Sequence, residues 1–189
     1  MRKRHVAPIL IWVIIVLVTL ACGRGGDSRS DIPSPPSGTI PVSETAAERL
    51  KRNFNQAMQE ASDNNEFRLR VTDEEITSLV ALNIEEQADV PLSNPQVWFT
   101  AGRIHITGDV NAAGPVRLKS LIVLIPVVND GIVQAKVEEA QMGPFDFPTG
   151  ALDTITETIN EALIDAQLDL EITRLEILEG ELFIIGNRS

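Results

Sequence analysis

The chain has no tyrosine, one cysteine and two histidines, and only 4% of its 189 residues are aromatic. Side chains that exchange protons near neutral pH are therefore few. A single cysteine, Cys22, has no disulfide partner within the chain. There is no G-x-S-x-G, H-E-x-x-H, C-x-x-C or glycine-rich phosphate loop. A Ser/His/Asp triad has to use His105, which falls on the polar side of a hairpin beside Arg103 and Thr107 and reads as a solvated strand histidine. The acids of "GDSRSD" lack the glycine and terminal glutamate of a calcium loop. The expectation is a protein that is not an enzyme, with no catalytic residue, no metal and no cofactor.

Positive charge is scarce as well. Lys and Arg number 16 against 27 Asp and Glu, a formal net charge of −11. A nucleic-acid binder needs the opposite balance. Anionic headgroups likewise repel a net negative surface, which argues against attachment through a broad basic face. The acid excess serves solubility.

Long apolar runs are absent except at the start. "MRKRH" followed by "VAPILIWVIIVLVTLA" has the basic and apolar regions of an export signal. The run of 16 residues contains Pro8 and falls short of the ~20 that span a bilayer comfortably. In "VTLAC" the lone Cys22 follows the small Ala21, a step that resembles the lipobox of bacterial lipoproteins, although Thr19 and Leu20 depart from the usual pattern. The resemblance implies acylation of Cys22 after cleavage, with an uncleaved signal anchor as the alternative. Several acyl chains on one residue anchor firmly, since each buried CH₂ contributes about 0.8 kcal/mol. Residues 1–21 are thus expected to be a signal peptide and 22–42, rich in Gly, Ser and Pro, a disordered tether with a reach of about 25 Å. The domain is expected at 43–189, outside the cytoplasm, in the cell envelope and lipid-anchored to a membrane.

From Ser43 onward the chain reads as α+β. A capping box at Thr45 and Glu48 opens a helix whose Leu50, Phe54, Ala57 and Ala61 share a face. "FRLRV" alternates as a strand, and Thr72 with Glu75 opens a second amphipathic helix, whose "DEE" acids suit the positive end of the helix dipole. Two stretches 78 positions apart, "VWFTAGRIHITGD" from Val97 and "LEILEGELFIIGN" from Leu175, are near-copies that alternate apolar residues around a turn glycine, the pattern of a hairpin. The first leaves one polar face; the second, with Phe183 and Ile185, leaves both faces apolar. A third ribbon turns at Gly131, and there Leu121, Val123 and Ile125 also make a strand that has to be buried on both sides. Leu152, Ile155, Ile159, Leu163 and Ala166 form the stripe of a long helix. The alternation slips between Ile172 and Leu175, which predicts a bulge at Thr173 and Arg174.

From "FRLRVTDEEITSLVA" to the end, this order of features resembles a loose group of small bacterial membrane-anchored proteins, the YpmS-like and LmeA-like phospholipid-binding proteins. The shared motifs are the helix start at Thr72, Glu74, Glu75 and Ile76, the step from Gly143 to Pro148 with its long helix, and the closing "EGELFIIG". The resemblance implies a tubular lipid-binding type of fold, a curved antiparallel sheet of hairpins wrapped around a long amphipathic helix, with additional N-terminal helices. It implies an acyl-chain cavity with Ile155, Ile159 and Leu163 on the helix, Phe99, Ile104, Ile106, Leu124, Phe183 and Ile185 on the wall, and Phe145 and Phe147 near the mouth. Simple core packing is the competing role for each of these residues. The functional expectation is a lipoprotein that binds a lipid or other apolar ligand; the alternative is a structural or adaptor lipoprotein without a small ligand.

Overall fold

A computed structural model describes residues 32–85, 92–111, 117–166 and 170–188. The export signal, Cys22 and the first part of the expected tether lie outside the described residues. Packing begins earlier than the expected start at residue 43. Pro35 and Ile40 are buried, and the Ile40 backbone exchanges two hydrogen bonds with the Gln96 side-chain amide, at 2.7 and 3.2 Å. The second half of the segment expected to be a loose tether is thus docked, because Ile40 finds an apolar seat and Gln96 satisfies its peptide groups.

Three helices follow among the described residues, α1 (Glu44–Asn64), α2 (Asp73–Glu85) and α3 (Thr149–Ala166). The first is capped two residues earlier than expected: Ser43, not Thr45, is the N-cap, and its hydroxyl accepts from the Ala46 amide. The second has the expected capping box, with the Glu75 amide donating to Thr72 Oγ1 and the Thr72 amide to Glu75 Oε2. Its acids do more than oppose a dipole. Glu75 is 3% exposed and accepts from Arg49 Nε at 2.7 Å, while Asp73 Oδ1 accepts from the Phe99 amide at 2.8 Å. Burial raises the Asp73 pKa against the opposing effect of that amide.

The strands are β1 (Phe67–Thr72), β2 (Leu92–Thr100), β3 (Arg103–Asn111), β4 (Arg117–Asn129), β5 (Ile132–Met142), β6 (Phe145–Asp146), β7 (Leu170–Leu178) and β8 (Glu181–Arg188). They form two antiparallel sheets, in the orders β1-β8-β7 and β2-β3-β4-β5-β6. The fold is therefore α+β, with two sheets in place of the single curved sheet expected. The bulge falls where the alternation slips, between Ile172 and Arg174.

The three hairpins expected from the sequence each turn on a glycine with φ of +78°, at Gly102, Gly131 and Gly180, a backbone state that disfavours other residues. The two near-copy hairpins also meet tip to tip. Gly102 N–H donates to Ile177 O at 3.4 Å, and Gly180 N–H donates to Phe99 O at 3.0 Å. Gly102 corresponds to Gly180 and Phe99 to Ile177 in the aligned copies, so the contact is reciprocal, as across a two-fold axis.

Helices close the β2 edge of the five-stranded sheet and the part of the β5 edge that the short β6 leaves unpaired. On β2, Thr77 Oγ1 accepts from Val97 N–H at 2.9 Å and donates to Val97 O at 2.8 Å. On β5, the Asn160 amide pairs with both the N–H and the carbonyl of Ala135, and Thr156 Oγ1 accepts from Val137 N–H. Each side chain takes the place of a missing strand and removes a template for unwanted pairing.

Two apolar cores result. In the first, α1 covers one face of the three-stranded sheet, with Leu50, Ala57 and Ala61 on Phe67, Leu69 and Val71, and Phe54 edge-on to Phe67. In the second, Ile155 and Ile159 of α3 lie against Val110, Leu124, Val137 and Ala140. Among the described residues, no helix is long and apolar enough to cross a membrane.

Candidate functional site

The residues expected to line one cavity do not converge. Phe99 belongs to the first core, while Leu124, Ile155, Ile106, Phe147 and Ile159 belong to the second, and Ile104 touches both. Leu163 is half-buried on α3, and Phe145 is 42% exposed. Phe183 and Ile185 point away from the first core, since their neighbours Leu182 and Ile184 are the ones packed into it. On that outer face Phe183 stands between Arg70 and Glu176 in the ladder, and Ile185 between Arg68 and Arg174. No helix is needed there: long charged side chains flank both residues, can cover them with their aliphatic stems and keep their heads in water. Arg70 is paired with Glu181, and Arg68 with Glu66.

The opposite face of the five-stranded sheet, turned away from the α3 core, is different. Its register brings Trp98, His105, Val123 and Glu139 into one row, and Gln96, Thr107, Leu121 and Gln141 into the next. Trp98, Leu121 and Val123 are 2%, 1% and 3% exposed, yet they belong to neither core. Among the described helices, α1 packs on β1, α2 on β2 and α3 on β5, and none runs close along the backbone of β3 or β4. This face is thus dry without a described helix of its own.

Two polar atoms on it lack partners. His105 stacks on Trp98, with ring centroids 5.0 Å apart and planes 8° from parallel. Its Nε2 lies 2.8 Å from Thr100 Oγ1, but its Nδ1 is buried and unbonded. The histidine expected to be solvated is half-buried because Trp98 sits directly across the ladder from it. Burial, reinforced by the nearby Arg103 cation, pushes its pKa below the usual value. Gln141, 8% exposed, has a buried Oε1 without a donor. A buried acceptor left unmade costs about 1–3 kcal/mol, so such groups mark places where a partner belongs.

The face opens at one end into a cleft of about 590 Å³. Its walls include Thr39 and Ile40 of the docked segment, Ile84 of α2, and Thr107, Asp109 and Lys119 of the sheet. Thr107 is shared by the cleft and by the row that carries Leu121 and Gln141.

No protein-family model matches the chain, and no curated protein matches it. The site therefore rests on its own geometry.

Sequence reasoning misses Trp98 and Gln141 and leaves His105 in water. The signal that points to this face is the doubly apolar β4. Packing of Ile122 and Leu124 against α3 does not account for Leu121 and Val123, which need a second cover of their own.

Proposed function

We propose that the face of β2–β5 carrying Trp98, Leu121 and Val123 seats a lipid or other apolar ligand, held beside the membrane by an N-terminal anchor at Cys22. One observation supports this reading above the others: the face that carries these residues opens at one end into a cleft of about 590 Å³ walled in part by Ile32, Ile84 and Leu92. An apolar chain entering the cleft meets Ile32, Ile84 and Leu92, which are only partly buried, and covering such side chains contributes up to about 1.5–3 kcal/mol each. Occupying the face leaves Ile122 and Leu124 with the α3 core on the other side of β4. The resemblance to the LmeA-like proteins points to the same class of ligand, although the surface proposed is the opposite one from that expected. The arrangement suits binding rather than catalysis, since His105 has no nucleophile or carboxylate within hydrogen-bond reach among the described residues beyond its one partner, Thr100.

The test is photolabelling of the full chain in lipid vesicles that contain a lipid with a diazirine in its acyl chain. Labelled peptides from β2–β5, including Trp98, Leu121 or Val123, are expected. Labelling confined to the apolar run of residues 6–21 would refute the proposal.

A further inference from the structure

We infer that the outer edge of β1 takes an added strand from a partner protein, an extended segment that alternates carboxylate and apolar side chains. The inference concerns the three-stranded sheet and is independent of the proposed lipid face. Elsewhere in the fold, strand edges are capped. Thr77 satisfies Val97 on β2, and Asn160 and Thr156 satisfy Ala135 and Val137 on β5. The edge of β7 meets two hairpin tips, where Ile172 N–H donates to Gly131 O at 2.8 Å and Ile177 O accepts from Gly102 N–H. β1 pairs with β8 alone, along its whole length from Phe67 to Thr72. Among the described residues, no side chain or hairpin tip bonds to the backbone of residues 67–71 on the other edge. An edge left in this state is a template for a further strand, which main-chain hydrogen bonds hold and alternate side chains select.

The side chains of β1 define what that strand carries. Phe67, Leu69 and Val71 are buried in the core beneath α1, while Arg68 and Arg70 stand on the outer face with side chains 66% and 56% exposed. A strand laid beside β1 sets one row of its side chains next to these two arginines, where carboxylates are favoured and cations are repelled. Its other row lies on the α1 side, where Phe54 and Met58 are only partly buried and apolar residues extend the core. Arg70 is paired with Glu181, which belongs to β8 on the side away from the new strand, and Arg68 with Glu66. Such exposed pairs hold weakly, so carboxylates of a partner can share or replace them. A second copy of β1 is a poor occupant. Antiparallel pairing centred on Leu69 sets Arg68 of one copy opposite Arg70 of the other, and like charges face to face are destabilising.

The experiment uses the full chain in detergent micelles and a fluorescein-labelled peptide of alternating Glu and Val, long enough to span β1, with a Lys-Val peptide of equal length beside it. The chain as a whole is acidic, so non-specific attraction favours the Lys-Val peptide. Anisotropy titration is nevertheless expected to show the Glu-Val peptide binding about tenfold tighter, from two favourable cross-strand pairs in place of two repulsive ones. Arg68→Gln combined with Arg70→Gln is expected to remove that preference; both side chains are exposed, and circular dichroism checks the fold. Glu-Val peptides N-methylated at either the Val or the Glu nitrogens each lose the donors of one edge, and at least one of the two is expected to lose binding. Equal or tighter binding of the Lys-Val peptide, or no binding of either, overturns the inference. So does full binding by both methylated peptides, or a preference that survives in the folded double variant. A dimer seen in sedimentation that the Glu-Val peptide dissociates makes the occupant a second copy, and overturns it as well.

Discussion

Thr77 offers the sharpest test of how the five-stranded sheet is closed. Its side chain is fully buried, and its single hydroxyl satisfies both peptide groups of Val97, itself 4% exposed. Thr77→Val keeps the shape and removes the hydroxyl, leaving a buried N–H and a buried carbonyl without partners. At about 1–3 kcal/mol for each unmade group, and allowing for partial relaxation, the loss is about 3 kcal/mol. For a chain of this size that lowers the melting temperature by about 6–12 °C. Thr77→Ser retains the hydroxyl and loses one methyl, which costs about 1 kcal/mol. Thermal unfolding followed by circular dichroism, with urea titration to confirm an unchanged m-value, compares the two. If Thr77→Val loses no more stability than Thr77→Ser, the hydroxyl does not hold the β2 edge and the reasoning fails.

Three further outcomes are expected. Asn160→Leu strips both partners from Ala135 on β5 and should produce concentration-dependent association, read by light scattering; a monodisperse variant with an unchanged melting temperature counts against edge protection. Gly186→Ala should destabilise more than Gly108→Ala, because the new methyl meets backbone at Glu171 O, 2.6 Å away, whereas at Gly108 the nearest atom is the movable Leu92 Cδ1 at 2.6 Å; equal losses in urea titration contradict this. His105, with its pKa lowered by burial and by Arg103, contributes stability that is complete above its unfolded pKa near 6.5 and is lost as pH falls through the lower folded value. His105→Gln should therefore flatten the decline in stability between about pH 7 and pH 5, and an unchanged slope argues that His105 is not the group titrating.

Local order is legible in the chain because it is written in local signals. The turn glycines, the capping box at Thr72 and Glu75, and the slip beside Thr173 each act over a few residues, and each appears where expected. The division into two sheets is not legible, since the pairing of β1 with β8 joins Phe67 to Gly186 across most of the domain and leaves no periodic trace. Faces are harder still. Alternation shows that Phe183 and Ile185 lie opposite Leu182 and Ile184, but only the register reveals that arginines flank them. His105 reads as solvated for the same reason: its half-burial depends on Trp98 in the neighbouring strand, whose indole faces the same way.

The reciprocal contact between the tips at Gly102 and Gly180 also sets an order of events. Each hairpin needs only its own turn and can form within roughly 1–10 μs. Joining the tips encloses 78 residues, and relative to a ten-residue loop this adds about 2 kcal/mol of closure entropy. The hairpins should thus precede the junction, which becomes a late seam between two preformed ribbons. In native exchange experiments the amides of Gly102 and Gly180 should open before those inside the ladders they join, so that the two sheets loosen from one another before either unravels.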